Sequence, residues 1–217
     1  LELLCAELTC KESSLFFNSG YQMNSGFLHA ILSEDDLIIA DKYIHASLID
    51  GALNSKCKLI RFKHNDMHHL LDLLKQHRNK FKQCLIITES IFSMDGDEAP
   101  IEKLIELKKE FNCQLCIDEA HAFGVYGEYG EGKVNPELRK DIDIILATFG
   151  KALGSSGAFI SCSNKLKETI INQCRSFIYS TALPIPIIQF NTIAIEHLKK
   201  DHKTRQKLHA LTNQLKT

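Results

Sequence analysis

The segment from Ile142 to Gly154 reads IDIILATFGKALG. Its first half is an apolar run of strand length, and its second half is a turn of small residues that carries Lys151. A second apolar run, from Gln114 to Ile117, leads in the same way into Asp118-Glu119-Ala120-His121. Apolar runs without alternation indicate strands that are buried on both faces, as in a parallel sheet covered by helices. The sequence therefore predicts an α/β fold in which polar residues follow the strands.

The same pattern recurs along the chain. One helical segment between strands is especially clear, because Ile101, Leu104, Ile105 and Leu107 fall on one stripe among charged residues. Alternating strands and helices favour right-handed crossovers and a mostly parallel sheet with helices on both faces. Seven strands are predicted, near residues 14–18, 37–40, 58–62, 84–88, 114–118, 143–148 and 157–162.

The carboxyl-terminal part of the chain differs from the rest. A helical pattern runs from about Ile187 to Thr217 and becomes strongly polar after His197. We predict that residues 1–186 form the greater part of a large domain. Residues 187–217 are predicted to form a connecting helix toward a small domain that this chain does not contain. The abrupt, helix-like start without an initiator Met indicates a portion of a longer protein.

Charge and hydropathy exclude several classes of protein. The 26 Lys and Arg residues nearly balance 27 Asp and Glu residues, and no basic stripe suggests binding to nucleic acid or to an anionic membrane. No apolar run approaches the roughly 20 residues needed to span a bilayer.

Four of the eight cysteines fall in or beside predicted strands, where free Cys behaves as a small hydrophobe. We therefore expect a reduced, cytoplasmic protein.

Two clusters of potential metal ligands occur in the sequence. Cys113 and Cys116 form a C-x-x-C pair, but a second pair at zinc spacing is missing. The stretch His64-Asn65-Asp66-Met67-His68-His69 is better explained by Asn65 or Asp66 capping a helix that begins at Met67. We predict no metal site.

Polar residues follow four of the predicted strands. In open α/β sheets, ligands bind outside the carboxyl ends of the strands, so we expect these residues to form one site. They are Ser19-Gly20-Tyr21 after the first strand, Ser93 after the fourth, Asp118 and His121 after the fifth, and Thr148 and Lys151 after the sixth.

A lysine, an acid and a histidine in such a site are what pyridoxal 5'-phosphate requires of a protein. Asp118 ends an apolar strand, where ionisation is costly without a cation such as a protonated pyridine nitrogen. Its alternative role is to cap the segment from Ala120. Lys151 would bind the cofactor covalently, and the alternative is an exposed surface lysine.

Two further residues fit a cofactor of this kind. Gly20 precedes a helix that we predict to begin near Gln22, and the backbone N–H groups there would suit a phosphate. The alternative is an ordinary turn between strand and helix. His45 follows the second strand and is suited to stacking on an aromatic ring, although a lone histidine is more often structural.

An ordered set of motifs resembles the α-oxoamine synthases, pyridoxal-phosphate enzymes of the aspartate-aminotransferase-like fold (fold type I). The resemblance implies the large domain of such an enzyme, with the small domain missing. The motifs extend over nearly the whole chain and are Ser19-Gly20-Tyr21, His45-Ala46-Ser47-Leu48, Phe62-x-His64-Asn65-Asp66, residues 89–97 (ESIFSMDGD), Asp118-Glu119-Ala120-His121, Gly124-Val125-Tyr126-Gly127, Thr148-Phe149-Gly150-Lys151 and Ile178-Tyr179-Ser180-Thr181.

The resemblance implies a role for each predicted site residue. Lys151 would hold the cofactor and remove the α-proton of the substrate, and His45 would stack on the cofactor ring. Asp118 would pair with the ring nitrogen, and His121 with the ring hydroxyl. The remaining implied contacts are Ser93 on the ring side, Gly20, Tyr21 and Thr148 near the phosphate, and Ser180 and Thr181 toward the cofactor of a partner subunit in a homodimer.

The resemblance also implies a reaction. The motifs at residues 118–121, 148–151 and 178–184 are most similar to those of the family member in biotin biosynthesis. That enzyme condenses L-alanine with a pimeloyl thioester of coenzyme A or of an acyl carrier protein. Members that use glycine or serine are the alternative within the family. An inactive scaffold subunit would lack the lysine, and a nucleotide-binding domain would need a Gly-rich loop that Gly20 alone does not supply.

Overall fold

The computed structural model describes residues 1–215. Seven strands form a single sheet, and each bound lies within one residue of the prediction. The strands are β1 (Ser13–Phe17), β2 (Leu37–Asp41), β3 (Lys58–Phe62), β4 (Cys84–Glu89), β5 (Gln114–Asp118), β6 (Ile144–Thr148) and β7 (Ala158–Cys162), in the spatial order β1-β7-β6-β5-β4-β2-β3.

Helices connect and cover the strands. They are α1 (Glu2–Leu8), α2 (Gly20–Ile31), α3 (Ala46–Asn54), α4 (Met67–His77), α5 (Ile101–Glu110), α6 (Pro136–Arg139), α7 (Asn164–Gln173), α8 (Arg175–Ile178), α9 (Ile185–Leu198) and α10 (His202–Leu215), with a 3-10 turn at Arg78–Lys80.

Strand direction brings the carboxyl ends of six strands to one edge. Strands β3, β2, β4, β5 and β6 pair in parallel, and β7 is antiparallel to both β6 and β1. Two antiparallel pairings in succession make β1 parallel to β6. The mostly parallel α/β sheet predicted from the sequence is therefore confirmed.

The core explains why the strands are apolar throughout. Successive side chains of a strand point to opposite faces of the sheet. In β2, Ile38 and Ala40 belong to one buried cluster, while Leu37 and Ile39 belong to another. The same division separates Leu85 and Ile87 of β4 from Cys84 and Ile86. Both faces of the sheet are covered, so these strands carry mostly apolar side chains.

Helices α2 and α3 approach each other closely at Gly51. A Cβ atom at this position would lie 2.2 Å from the backbone oxygen of Asn24. No side chain fits such a gap, so glycine sets the distance between the two helices. The contact brings Asn24 of α2 against Ser47 of α3.

The predicted start of helix α2 needs correction. Helix α2 begins at Gly20 rather than near Gln22, because Ser19 is its N-cap and the Ser19 hydroxyl accepts the Gln22 N–H at 3.1 Å. By contrast, the predicted start of α4 is confirmed, with the Asp66 carboxylate accepting the His69 N–H at 2.9 Å.

The single connecting helix predicted after residue 186 is wrong, because two helices form. Asp201 accepts the Thr204 N–H at 3.1 Å and starts α10 after a break. Helix α10 folds back along the domain, where the buried Arg205 guanidinium donates to the carbonyls of Leu198 and Glu128. The end of the predicted helix, at Thr217, lies outside the described residues. The role of this segment as a connector stays a prediction.

No helix within residues 1–215 has the length and apolarity that crossing a membrane would require. The eight cysteines are all free, and every one except Cys10 is buried.

Gly51→Ala is expected to lower the free energy of unfolding by about 1–2 kcal/mol, because overpacking outweighs the helix preference for alanine. Equilibrium unfolding in urea measures the change. Gly20→Ala is the matched control, since a Cβ there would meet nothing within 4 Å. Equal effects of the two substitutions would show that the α2–α3 contact is not tight.

Candidate active site

A cavity of about 130 Å³ lies at the carboxyl edge of the sheet. It brings together residues at or after the ends of β1, β2, β5 and β6, but not Ser93, which follows β4. Its lining residues are Gly20, Tyr21, Met23, Asn24, His45, Ser47, Asp118, Ala120, Ala147, Thr148 and Lys151. A larger cavity of about 820 Å³ lies between α1 and residues 126–136, and none of the predicted site residues lines it.

Lys151 reaches toward His121 across the cavity. The Lys151 Nζ atom is 2.6 Å from His121 Nε2, a distance at which the lysine donates a hydrogen bond to a neutral imidazole. Burial lowers the pKa of Lys151, although the carboxylates of Asp118 and Glu89 act in the opposite direction. Burial, followed by the charges of Lys151 and His45, lowers the pKa of His121. Both shifts lower the tendency of the two side chains to carry a proton.

Asp118 is a buried acid at the end of β5. It is 5% exposed and accepts the Ala120 N–H at 2.9 Å, and the side chain of Asn24 lowers its pKa. Burial raises its pKa, while these interactions and the charge of Lys151 oppose the rise. The bond to Ala120 caps the turn that begins there, so Asp118 also fills its alternative role of capping this segment, although no helix follows.

His45 is held at the cavity wall by α3. It is the N-cap of that helix, and its Nδ1 atom accepts the Ser47 N–H at 3.2 Å. The Ser47 hydroxyl lies 2.7 Å from the same nitrogen. The backbone N–H of His45 bonds to the side chain of Glu89. The two contacts from Ser47 hold the imidazole at Nδ1.

The amino end of α2 and the turn after β6 complete the cavity. A Cβ at Gly20 would meet nothing within 4 Å, so the first turn of α2 is open on that side. Thr148 donates its hydroxyl to the Gly157 carbonyl at 3.0 Å and accepts the Gly150 N–H at 3.1 Å, which orders the turn before Lys151. Tyr21 is more than half exposed and is tied to Asp50 through a 2.5 Å hydrogen bond from its hydroxyl.

His121 does not line this cavity but contacts Lys151, and three further predicted residues lie apart from it. Ser93 is exposed and lines a separate cavity of about 200 Å³ with Tyr43 and Phe92. Ser180 and Thr181 are exposed as well, and the Thr181 carbonyl accepts the side-chain amide of Asn18 at 2.6 Å. The contacts implied for these three residues remain predictions.

Sequence reasoning missed Glu89, the last residue of β4. It pairs in register with Asp118, is 3% exposed, and its Oε1 atom has no hydrogen-bond partner among the described residues. Burial, together with the charge of Asp118, raises its pKa to about 8. An acid at the carboxyl end of an apolar strand was the signal that identified Asp118, and the same signal identifies Glu89.

Asn24 and Ser47 were also missed as site residues. Both are buried in the cavity wall, and Asn24 donates its amide to the Ser47 hydroxyl at 3.0 Å. Asn24 lies near Phe27 and Leu28 on the buried side of α2. A polar residue on an otherwise apolar helix face was the available sequence signal.

The histidine-rich stretch forms an ion-pair network rather than a group of metal ligands. His64 contacts two carboxylates. One is the buried carboxylate of Asp41, at 2.9 Å, and the other is the partly exposed carboxylate of Asp97, at 2.7 Å. Burial opposes protonation, but the hydrogen bonds to Asp41 and Asp97 outweigh it and raise the pKa of His64. Among residues 1–215, no group of three or more His, Cys, Asp or Glu side chains could hold a metal ion. The network ties the Phe92–Asp97 segment to β2.

Glu89→Gln is expected to stabilise the protein without added ligand, by an amount that grows as the pH rises from about 5 to 8. Below about pH 4.5 both the folded and the unfolded chain bind the proton, so Glu89 has no cost. Above that value the unfolded chain releases the proton, while the folded chain keeps it up to about pH 8. Stability is therefore lost across this window in the wild type, and glutamine avoids the loss.

Thermal unfolding at a series of pH values measures this difference. Glu110→Gln is the control, because Glu110 is exposed at the end of α5. A gain that shrinks with rising pH would contradict the burial of a protonated Glu89.

Comparisons with known proteins agree with this geometry. The family model for aminotransferases of class I and II matches residues 3–217. A protein of Neisseria meningitidis serogroup A named "Putative 8-amino-7-oxononanoate synthase" is 47% identical over 214 residues, which cover 98% of this chain and 56% of the relative. A protein of the same name from Haemophilus influenzae has the same identity and coverage. The chain thus spans little more than half the length of these relatives.

Solved structures give the same picture. The 8-amino-7-oxononanoate synthase of Francisella tularensis superimposes with a TM-score of 0.84 at 34% identity, over 95% of this chain and 60% of that one. Serine palmitoyltransferase from S. paucimobilis, with a bound PLP–myriocin aldimine, has a TM-score of 0.91 at 27% identity, over 96% of this chain and 52% of that one. The resemblance to α-oxoamine synthases and the type I fold are confirmed.

Proposed function

The chain belongs to the aminotransferase class I and II family, and we propose that the whole protein is an 8-amino-7-oxononanoate synthase dependent on pyridoxal 5'-phosphate. It condenses L-alanine with a pimeloyl thioester in biotin biosynthesis and releases carbon dioxide and the free thiol. The observation that carries the proposal is the meeting of His45, Asp118 and Lys151 in one cavity from three strand ends.

The residues present fit the cofactor. Asp118 is a buried carboxylate whose hydrogen bonds come only from uncharged groups among the described residues, so the N–H of a protonated pyridine would give it a cationic partner. The first turn of α2 opens toward the cavity at Gly20, where backbone N–H groups suit a phosphate. Lys151 has a pKa lowered by burial, which increases the fraction of neutral, nucleophilic amine.

The bound cofactor supplies an electron sink for the bonds at the substrate α-carbon. The residues of this chain would bind and orient the cofactor and would transfer protons near it. Lys151 Nζ would hold the cofactor and serve as the base for the α-proton of the amino acid, and its 2.6 Å contact with His121 orients that atom. Asp118 would pair with the ring nitrogen and favour its protonated form. His45 presents a ring face on the cavity wall.

The choice of L-alanine rests on relatives. The oxononanoate synthase of F. tularensis is 34% identical to this chain, compared with 27% for the serine palmitoyltransferase of S. paucimobilis. The motif Thr148-Phe149-Gly150-Lys151 supports the same choice. We further propose a homodimer, in which the exposed residues Ser180 and Thr181 face the cofactor of the partner subunit, and an acyl donor carried by coenzyme A or by a carrier protein.

Lys151→Ala in the full-length protein is expected to reduce turnover on the order of 10³-fold or more, because covalent and base roles vanish together. Lys165→Ala is the control, since Lys165 is exposed on α7, and it should leave turnover unchanged. Release of the free thiol from pimeloyl-coenzyme A measures the rate. Ordinary turnover of Lys151→Ala would assign the cofactor bond to another lysine.

The full-length enzyme is expected to use L-alanine in preference to glycine and L-serine, on the order of tenfold or more in kcat/KM. Each amino acid is offered with pimeloyl-coenzyme A and with a pimeloyl carrier protein. A preference for glycine or L-serine would move the protein to another branch of the family while leaving the site assignment intact.

A further inference from the structure

Three hydrogen-bonded side chains and the carboxylate of Asp118 form a line along one wall of the cavity. Asn24 Nδ2 donates to Ser47 Oγ at 3.0 Å, and Ser47 Oγ lies 2.7 Å from His45 Nδ1. Asn24 and Asp118 line the same cavity, and the Asn24 side chain lowers the pKa of the Asp118 carboxyl. Asn24, Ser47 and Asp118 are each at most 5% exposed, so water competes little for these bonds. The line connects His45, the N-cap of α3, with Asp118 at the end of β5.

The direction of each bond follows from one backbone group. The Ser47 N–H donates to His45 Nδ1 at 3.2 Å, and an N–H can only donate. The lone pair of this imidazole is therefore on Nδ1, and its proton is on Nε2. The Ser47 hydroxyl must then donate to Nδ1 as well and accept from Asn24. Asn24 also lowers the pKa of Asp118, which is the effect expected of an amide donor near a carboxylate.

We propose that Asn24 and Ser47 are positioning residues that hold His45 in its Nε2–H tautomer and fix its orientation relative to Asp118. The proposal rests on the proposed function, in which His45 and Asp118 face the same cofactor ring. The close packing of α2 and α3 at Gly51 keeps the two residues together. Because the tautomer of a histidine is set by the bond that its other nitrogen makes, this arrangement leaves one neutral form of the ring.

A purely structural role for the pair is less consistent with the packing. The Oδ1 atom of Asn24 is buried without a hydrogen-bond partner among the described residues. An unsatisfied buried acceptor is unfavourable, and an apolar residue between α2 and α3 would avoid it. The presence of an amide at this position is explained by the hydrogen bond that it donates to Ser47 and by its effect on the pKa of Asp118.

The test is ¹⁵N NMR of histidine-labelled full-length protein, first without cofactor and then with pyridoxal phosphate. A His45→Gln sample assigns the signals of His45. In the wild type we expect a protonated Nε2 and an unprotonated Nδ1. Ser47→Ala should shift the tautomer ratio about five-fold toward Nδ1–H, as expected for one lost hydrogen bond. Ser47→Thr retains the hydroxyl and should restore the wild-type ratio.

Two results would overturn the proposal. One is a wild-type His45 with its proton on Nδ1, a measurement that needs no variant. The other is a folded Ser47→Ala protein whose tautomer ratio equals that of the wild type. Asn24→Leu gives a second check, and it should reduce the bias because the Ser47 hydroxyl loses its donor. The cofactor-free spectra test this network alone, whereas failure to bind pyridoxal phosphate would count against the proposed function.

Discussion

Burial of both faces of the sheet is the constraint on which the site depends. Alternate residues of β2 and β4 enter two separate apolar clusters, so these strands carry mostly apolar side chains. The polar residues of the site lie at the strand ends. Since β1 and β6 run in the same direction as the central parallel strands, these ends meet at one edge. His45, Asp118 and Lys151, which are far apart in sequence, line one cavity for this reason.

Desolvation gives this edge its chemical character. Burial raises the pKa values of Asp118 and Glu89 and lowers those of Lys151 and His121, so every shift favours the neutral form. Opposite charges in the cavity counteract these shifts only in part. A ligand that carries both an anionic phosphate and a cationic ring nitrogen would supply the missing counter-charges, and this complementarity links the fold to the proposed cofactor.

The sequence was sufficient where a local pattern encodes the structure. Continuous apolar runs located every strand, and polar residues just after them located Asp118 and Lys151. Features that depend on long-range contacts were not predictable. The break before α10 depends on Arg205 reaching the Glu128 carbonyl, and the position of Ser93 depends on the distant bond between His64 and Asp97. Asn24 and Ser47 meet only because α2 and α3 pack closely at Gly51.

The central claim is that one lysine at the end of β6 binds the cofactor covalently. Full-length protein loaded with pyridoxal phosphate should be reduced with borohydride, digested and analysed by mass spectrometry. The account predicts a single saturable adduct on the peptide that contains Lys151. An adduct confined to another lysine, or cofactor binding without any adduct, would contradict it.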